Sequence, residues 1–396
     1  MFISIILQYL YEISFFRDIF HGIYSIISII KLFAFSIFNK NFIYHYGIFG
    51  KYRNIGDNLL YENIEKLFDK HLDRNIWYHR LAFGEIALLE TLLINKYCSM
   101  LIIGGHGLIM PESNKNNNSG WGFNININNL NKIKIPIIFF AIGYNVFRDD
   151  EVFIPNFKEH LNICVRKSLF FGLRNYGSIN KVKKYLSEDL HSKIMYQPCP
   201  TTILDYKKHK NIELNKNNIA IVVAFNKVRK RYSDNLLNIL NQIIDYADFM
   251  ISCGFNVCFF GHHLFDTHNK YIKYFKKCGF SILPLYKMSI NDIYQLYNKN
   301  KLIISMRGHG LMVPFGLSIP TISLTNQDKQ IWFLETIGYS DWSIDINNYF
   351  YEELIKKSND ILNNYENIQN NLINSKVNNK NITNENIKLI KLYLNK

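Results

Sequence analysis

From residue 42 onward the chain alternates short, wholly apolar runs with longer stretches in which apolar residues recur every third or fourth position. "FIYHYGIFG" (42–50), "MLIIGG" (100–105), "IPIIFFAIG" (135–143) and "IAIVVAF" (219–225) have the length and β-branched content of strands buried on both faces. "FNVCFFG" (255–261), "KLIIS" (301–305) and "IPTISL" (319–324) repeat that signature. Between them, "NLLYENIEKLF" (58–68) puts Leu59, Leu60, Ile64, Leu67 and Phe68 on one helical face, and 233–252 reads as a helix opening on a Ser-Asp cap. Strands alternating with helices predict parallel sheets in an α/β fold.

Prolines and polar residues gather between 196 and 218 and divide the series in two. The expected organisation is an apolar helical extension (1–41), a Rossmann-like domain (42–205), a second such domain (206–345) and C-terminal helices or tail (346–396). Two doubly wound domains would then face a cleft. An internal echo supports the duplication, because "LIIGGHGLIMP" (101–111) and "ISMRGHGLMVP" (304–314) both set GHGL after an apolar run. From Tyr351 the apolar periodicity is sparse, which suggests terminal helices and a loose end. The first forty residues are rich in aliphatic and aromatic side chains, but Glu12, Arg17, Asp18 and Lys31 interrupt them. No uncharged run there reaches the ~18–20 residues that span a bilayer. Two readings stand for this segment: amphipathic helices lying on a membrane surface, or helices packed on the protein's own core.

With 396 residues, 48% of them apolar and 20% charged, the composition is that of a globular protein. The formal charge of +14 fits either a polyanionic partner or a general over-use of lysine. Beyond "KVRKR" (227–231) there is no dense basic run, and no basic motif interleaved with aromatics, so nucleic acid is not expected as a partner. Cys98, Cys164, Cys199, Cys253, Cys258 and Cys278 are scattered and suggest neither a zinc site nor a disulfide framework. Together with the lack of a small-residue cleavage site, this predicts a cytoplasmic location, with the inner face of the cell membrane as a place of association.

Ligands of open α/β sheets sit beyond the carboxyl ends of strands, which singles out the glycine-bearing junctions. In "YRNIGDNLL" (52–60), Gly56 permits close backbone approach and Asp57 stands at a helix start, as a substrate contact or as a cap. "IGGHGLIMPES" (103–113) offers Gly104, Gly105 and His106 as a second substrate loop or a tight turn. In "SMRGHGL" (305–311), Arg307 has the planar fork suited to a carboxylate or phosphate, and His309 can move a proton near neutrality. Gly308 and Gly310 leave room around that histidine, and Pro314 fits the beginning of the following helix. Arg174, after an apolar run, could hold a second anionic group, and His263 and Asp266 in "GHHLFD" could touch an acceptor. No dense carboxylate cluster indicates a metal site; dependence on a divalent metal is left open.

The ordered set "NIGDNLL" (54–60), "IIGGHGLIM" (102–110), "SGWGFNI" (119–125), "PIIFFAIGYNVF" (136–147), "FGLRNYGS" (171–178), "SMRGHGLMVPFGLSIPTISLTNQDK" (305–329) and "WFLETIGYSDWSID" (332–345) resembles polysaccharide pyruvyl transferases. The resemblance implies a glycosyltransferase-B-like pair of Rossmann domains with the active site in their cleft. It implies transfer of the carboxyvinyl unit of phosphoenolpyruvate onto two hydroxyls of one sugar, forming a pyruvate ketal in capsule, exopolysaccharide or other cell-surface glycan synthesis. The family's R-x-H motif falls on Arg307 and His309, and its R-x-x-x-S context on Arg174 and Ser178, with Asn175 where many members carry aspartate. His309 is then the candidate proton donor, and Arg307, Arg174, Ser178, Gly308 and Gly310 line the donor site. Partners would be phosphoenolpyruvate and a saccharide acceptor, free or lipid-linked, with no tightly bound cofactor. Two rivals stand beside this reading: a nucleotide-sugar glycosyltransferase of the same architecture, and a non-catalytic membrane-surface protein that works through its apolar N-terminus.

Overall fold

The computed structural model describes residues 14–50, 54–72, 75–111, 116–147, 153–205, 217–232 and 235–394. The strands expected from the apolar runs form two six-stranded parallel sheets. The first comprises β1 (Phe42–Gly47), β2 (Trp77–Leu81), β3 (Cys98–Gly104), β4 (Ile137–Ile142), β5 (Phe170–Leu173) and β6 (Ile194–Tyr196). The second comprises β7 (Asn218–Val223), β8 (Asn256–Gly261), β9 (Ile282–Pro284), β10 (Leu302–Ser305), β11 (Thr321–Thr325) and β12 (Ser343–Asp345). Spatial orders are β2-β1-β3-β4-β5-β6 and β12-β11-β10-β7-β8-β9. The two-domain α/β architecture and its parallel sheets follow from the alternation in the sequence.

Helices of the first half are α1 (Ser14–Phe38), α2 (Ile55–His71), α3 (Leu88–Tyr97), α4 (Ile127–Lys132), α5 (Asn156–Lys167) and α6 (Tyr176–Lys183). The second half carries α7 (Val228–Tyr232), α8 (Leu236–Ser252), α9 (Leu264–Thr267), α10 (Ile272–Lys277), α11 (Ile290–Asn298), α12 (His309–Gly316) and α13 (Asp328–Thr336). Two more, α14 (Tyr351–Asn363) and α15 (Tyr365–Leu394), complete the chain. The Ser-Asp cap expected at 233–234 lies outside the described residues.

Strand alternation distributes the core. Phe42, Tyr44 and Tyr46 of β1 face one helical layer, together with Leu101, Ile103 and Phe139, while Ile43, Ile102 and Ile138 face the opposite side with Ile64 and Phe68 of α2. All are buried, as strands covered on both faces require. The missed strands β2, β6, β9 and β12 are the edge strands of the two sheets, each of three to five residues, too brief or too mixed to stand out as apolar runs.

The terminal helices expected there are present, but the end expected to be loose is part of a 30-residue helix that crosses back to the first domain. Asn386 Nδ2 donates to the Tyr196 carbonyl at 2.9 Å and to Gln197 Oε1 at 3.0 Å, and Lys380 pairs with Asp205 at 2.6 Å. At the other end of the chain, α1 lays Leu32, Ser28 and Ser36 against the β1–β2 edge, where the Tyr78 hydroxyl donates to the Ser28 carbonyl at 2.8 Å.

Under that edge lies a buried charge pair. Arg80 Nε reaches Glu90 Oε1 at 3.0 Å, both side chains fully buried, and the same oxygen accepts from the Tyr44 hydroxyl at 2.5 Å. Removing the carboxylate strands a guanidinium in the core, which typically costs about 3–5 kcal/mol. Glu90→Ala is therefore expected to lower the urea midpoint by that equivalent with an unchanged m-value, as read by denaturant titration.

Candidate active site

Strand order reverses between β1 and β3 in the first sheet and between β10 and β7 in the second. A crevice opens at the carboxyl end of a sheet at such a reversal. Asp57 follows β1 and His106 follows β3, whereas Arg231 follows β7 and Arg307 and His309 follow β10. The two crevices abut, so loops from both domains meet in one seam.

At its centre a carboxylate stands between two imidazoles. Asn54 caps α2 by accepting the Gly56 N–H at 3.2 Å, so the helix starts three residues before the apolar pattern and Asp57 occupies its first turn. Asp57 Oδ1 lies 3.4 Å from His106 Nδ1 and 3.8 Å from His309 Nδ1. Gly105 and His106 both take left-handed backbone, φ 63° and 66°, and this turn accompanies His106's approach to Asp57. An ionised carboxylate only accepts, so the His106 nitrogen bonded to it carries the hydrogen. The Nε2 atoms of His106 and His309 are buried without a partner among the described residues. Gly56 is required by close approach, because a Cβ there would collide with the His309 ring.

Burial alone would raise the Asp57 pKa, but the His106 hydrogen bond and the neighbouring histidines and Lys329 hold it well below the usual carboxylate range. Burial pushes His309 down to about 3, and the Arg174 charge deepens the shift against the pull of Asp57. His309 is therefore neutral at physiological pH.

Around this centre gather four cations, Arg174 and Arg307 buried, Arg231 and Lys329 half-buried. Arg307 spends Nη2 on both oxygens of Asp266, at 2.5 and 2.8 Å, and donates from Nε to the Val223 carbonyl at 3.0 Å. Asp266 is fully buried and also accepts the backbone N–H groups of Phe225 (2.8 Å) and His263 (2.9 Å). His263 in turn caps α9 through Nδ1. Both residues, expected as acceptor contacts, thus serve here to order the loop after β8 and to hold Arg307.

Arg174 follows β5 and lies across Gly143, where any Cβ would strike its guanidinium; its Nε is buried without a partner among the described residues. Burial lowers its pKa, opposed by Cys199 and Asp57. Ser178 does not face an open space: its hydroxyl accepts the Tyr144 N–H at 3.1 Å. Asn175, in the place of the aspartate, caps α6 by accepting the Ser178 N–H at 2.8 Å, leaving its own Nδ2 unpartnered among the described residues.

Arg231, Lys329, Asn145 and His262 escaped the sequence reading. Arg231 donates to the Asn226 carbonyl and, from Nη1, to Asn326 Oδ1 at 2.8 Å; burial and then the Arg307 charge push its pKa down to about 10, against the pull of Tyr232. Lys329 crosses the seam to Asn145 Oδ1 at 2.6 Å, and burial with the charges of Arg231 and Arg174 takes it well below the ordinary lysine value. His262 accepts or donates at Nε2 to the Tyr297 hydroxyl at 2.6 Å, and its carbonyl takes the Ile55 N–H at 2.9 Å. Their common signal is position, since each follows the carboxyl end of a parallel strand. Gly104 packs on His45, Gly308 borders Lys329 and Gly310 abuts Ser305. Pro314 stands in the second turn of α12 and not at its beginning, because the helix starts at His309.

Residues 54–328 match the family model of polysaccharide pyruvyl transferases. The chain belongs to that family. Its fold is shared with UDP-GlcNAc 2-epimerase from Neisseria meningitidis bound to UDP-GlcNAc (TM-score 0.53, 13% identity, 90% of this chain and 100% of that one). A putative UDP-N-acetylglucosamine 2-epimerase from Listeria monocytogenes is similar at TM-score 0.51 and 11% identity, over 84% of this chain and 90% of that one. The S. aureus MnaA–UDP structure is similar at 0.50 and 9%, over 84% and 90%. At such identities the likeness concerns the glycosyltransferase-B-like fold alone. No curated protein matches the sequence. Among the described residues, no group of three His, Cys, Asp or Glu side chains could hold a metal ion, and no helix is long and apolar enough to cross a membrane.

Four buried histidines of this pyruvyl transferase family member have depressed pKa values: His45 and His160 at about 4, His262 and His309 at about 3, each chiefly through burial. The unfolded chain takes up protons near pH 6.5 that the folded sites refuse, so these groups stabilise the fold above that pH and lose their contribution as pH falls. Each is expected to cost roughly 2 kcal/mol by pH 5. Denaturant titrations at pH 7.5 and pH 5 check this, and His309→Ala should flatten the slope.

Proposed function

We propose that this protein transfers the carboxyvinyl unit of phosphoenolpyruvate onto two hydroxyls of one sugar residue, forming a cyclic pyruvate ketal during cell-surface glycan synthesis. The observation that carries this reading is the gathering of four cations around two carboxylates in the seam: Arg174 and Arg307, buried, with Arg231 and Lys329, half-buried, beside Asp57 and Asp266. Desolvated positive charge of that density is offset by a small, multiply anionic ligand, and phosphoenolpyruvate carries a carboxylate and a phosphate close together. The fold alone would suit a nucleotide-sugar glycosyltransferase equally; family membership favours the pyruvyl donor.

In the proposed reaction a sugar hydroxyl attacks C2 of the donor as C3 gains a proton. A second hydroxyl then attacks C2, phosphate leaves with its bonding electrons, and the ketal closes. Of the two hydroxyl protons, one balances the proton added at C3 and the other leaves with phosphate. His309 starts neutral, so it carries a proton to C3 only after taking one up. The anionic donor assists, because negative charge beside a buried imidazole raises its pKa. Asp57 keeps Nδ1 oriented and leaves Nε2 for the exchange. Arg174, with an uncommitted Nε, is assigned to the donor's anionic groups, and Arg307, already braced by Asp266, balances charge as phosphate departs.

Incubation with phosphoenolpyruvate and surface glycan from the source cell, followed by mass spectrometry and phosphate release, tests the reading. A ketal on the glycan is expected; turnover of a nucleotide sugar with none of phosphoenolpyruvate overturns it. His309→Ala is expected to lower kcat by about 10²–10⁴-fold with the urea midpoint at pH 7.5 largely kept. Arg174→Ala should act mainly on donor binding, raising KM for phosphoenolpyruvate roughly 10–100-fold, the loss expected for one charge-assisted hydrogen bond.

A further inference from the structure

One face of the first domain carries an apolar stripe that the active site does not use. Along α1, Ile26, Ile30, Phe33 and Ile37 recur at helical spacing on the side away from Leu32, and are 61%, 63%, 54% and 60% exposed. Phe38 at the helix end is 87% exposed, and the neighbouring α3 adds Leu88, Leu89 and Leu92, each about half exposed. Scattered exposed apolar residues need no explanation, but a stripe of this kind on adjacent helices marks a surface that is covered in use.

Charge indicates what covers it. Both α1 and α3 run into the amino ends of adjacent strands, since Phe42 of β1 lies in register with Cys98 of β3. The exposed lysines Lys40 and Lys96 therefore stand at the same edge of the sheet. Lys132 and Lys134 join them, because Asn95 at the end of α3 bonds the Lys132 carbonyl at 2.7 Å and the Lys134 N–H at 2.8 Å. Lys31 is exposed on α1 itself. The carboxylate within α3, Glu90, is buried and committed to Arg80. An apolar stripe rimmed by lysines complements the interface of an anionic bilayer, where apolar side chains enter the headgroup boundary and cations meet lipid phosphates. A second copy of the chain would instead bring one lysine rim against another on a protein of net charge +14.

We propose that α1 and α3 dock this protein on an anionic phospholipid surface, with Ile26, Ile30, Phe33 and Ile37 entering the interface and Lys40, Lys96, Lys132 and Lys134 meeting the headgroups. The helix that does most of this lies outside the 54–328 family match, and the docking would hold whatever substrate the cleft takes.

Flotation of the full chain with vesicles of phosphatidylcholine, alone or mixed with phosphatidylglycerol, tests this. Binding to the mixed vesicles only, weakened by raised salt, is expected. Ile30→Asn with Phe33→Asn should abolish it, and each of Lys96→Ala, Lys132→Ala and Lys134→Ala should weaken it roughly fivefold. All these positions are exposed, so unchanged urea midpoints will confirm folding. A chain that stays unbound, or one whose binding survives loss of these residues, overturns the proposal. So does a dimer in solution that dissociates on Phe33→Asn, which would make a second copy the occupant.

Discussion

Gathering Arg174, Arg231, Arg307 and Lys329, buried or half-buried, around Asp57 and Asp266 is the constraint on which the arrangement of the seam depends. Charges removed from water are tolerated when paired, shared or depressed, and each of these groups shows one of those outcomes. Arg307 is paired, bound to Asp266 and a carbonyl. Lys329 and Arg231 find neutral amide oxygens and have lowered pKa values. Arg174 keeps an unpartnered Nε among the described residues. The site is thus built with charge left to satisfy, which is how a binding pocket differs from a structural ion-pair network.

That charge can be concentrated because of topology. In a doubly wound sheet only the strand-order reversal leaves room for ligands, and two such sheets placed mouth to mouth pool the loops of both. The contacts that fix the pairing are short. The Ile55 N–H donates to the His262 carbonyl, Asn63 to the Tyr294 hydroxyl and Lys329 to Asn145, while Gly56 and Gly177 let the rings of His309 and Trp332 approach the opposite backbone. The helix α15 then ties the second half back onto the first. A side chain at position 56 would collide with the His309 ring beside Asp57, and one at position 177 with the Trp332 ring.

Much of this was legible because the relevant signals are local. Long buried strands announce themselves as apolar runs, and glycine-flanked histidines after such runs mark strand-to-helix junctions at carboxyl ends. The repeated GHGL proved informative beyond the duplication that suggested it: His106 and His309, one from each copy, flank the same carboxylate. What stayed hidden depends on distance in sequence. Nothing near Asp266 says that it braces Arg307, 41 residues later, and nothing near Lys329 says that it reaches Asn145, 184 residues earlier. Ser178 looks like a ligand residue, yet its hydroxyl accepts the backbone N–H of Tyr144, 34 residues earlier in the loop after β4, a contact that nothing near it in the sequence announces. The 30-residue α15 was missed as a docked element because its buried face mixes Leu372, Ile387 and Ile390 with the amides and hydroxyl of Asn379, Thr383 and Asn386, which leaves a weak apolar period.

The likeness in fold to solved structures at only 9–13% identity separates what the scaffold supplies from what the loops supply. Sheet order, switch points and the facing of the lobes belong to the scaffold, and they bring any residues at those loop positions together. The sign and amount of charge there belong to residues such as Arg174, His309 and Lys329, all within the 54–328 family match. Outside it, none of the described side chains of α1 reaches the seam, and the helix packs through Ser28, Leu32 and Ser36. An apolar outer stripe on such a helix is a cost in water that packing inside the domain does not recover. The stripe and the seam are therefore answers to different physical demands, one set by what surrounds the protein and the other by what it binds.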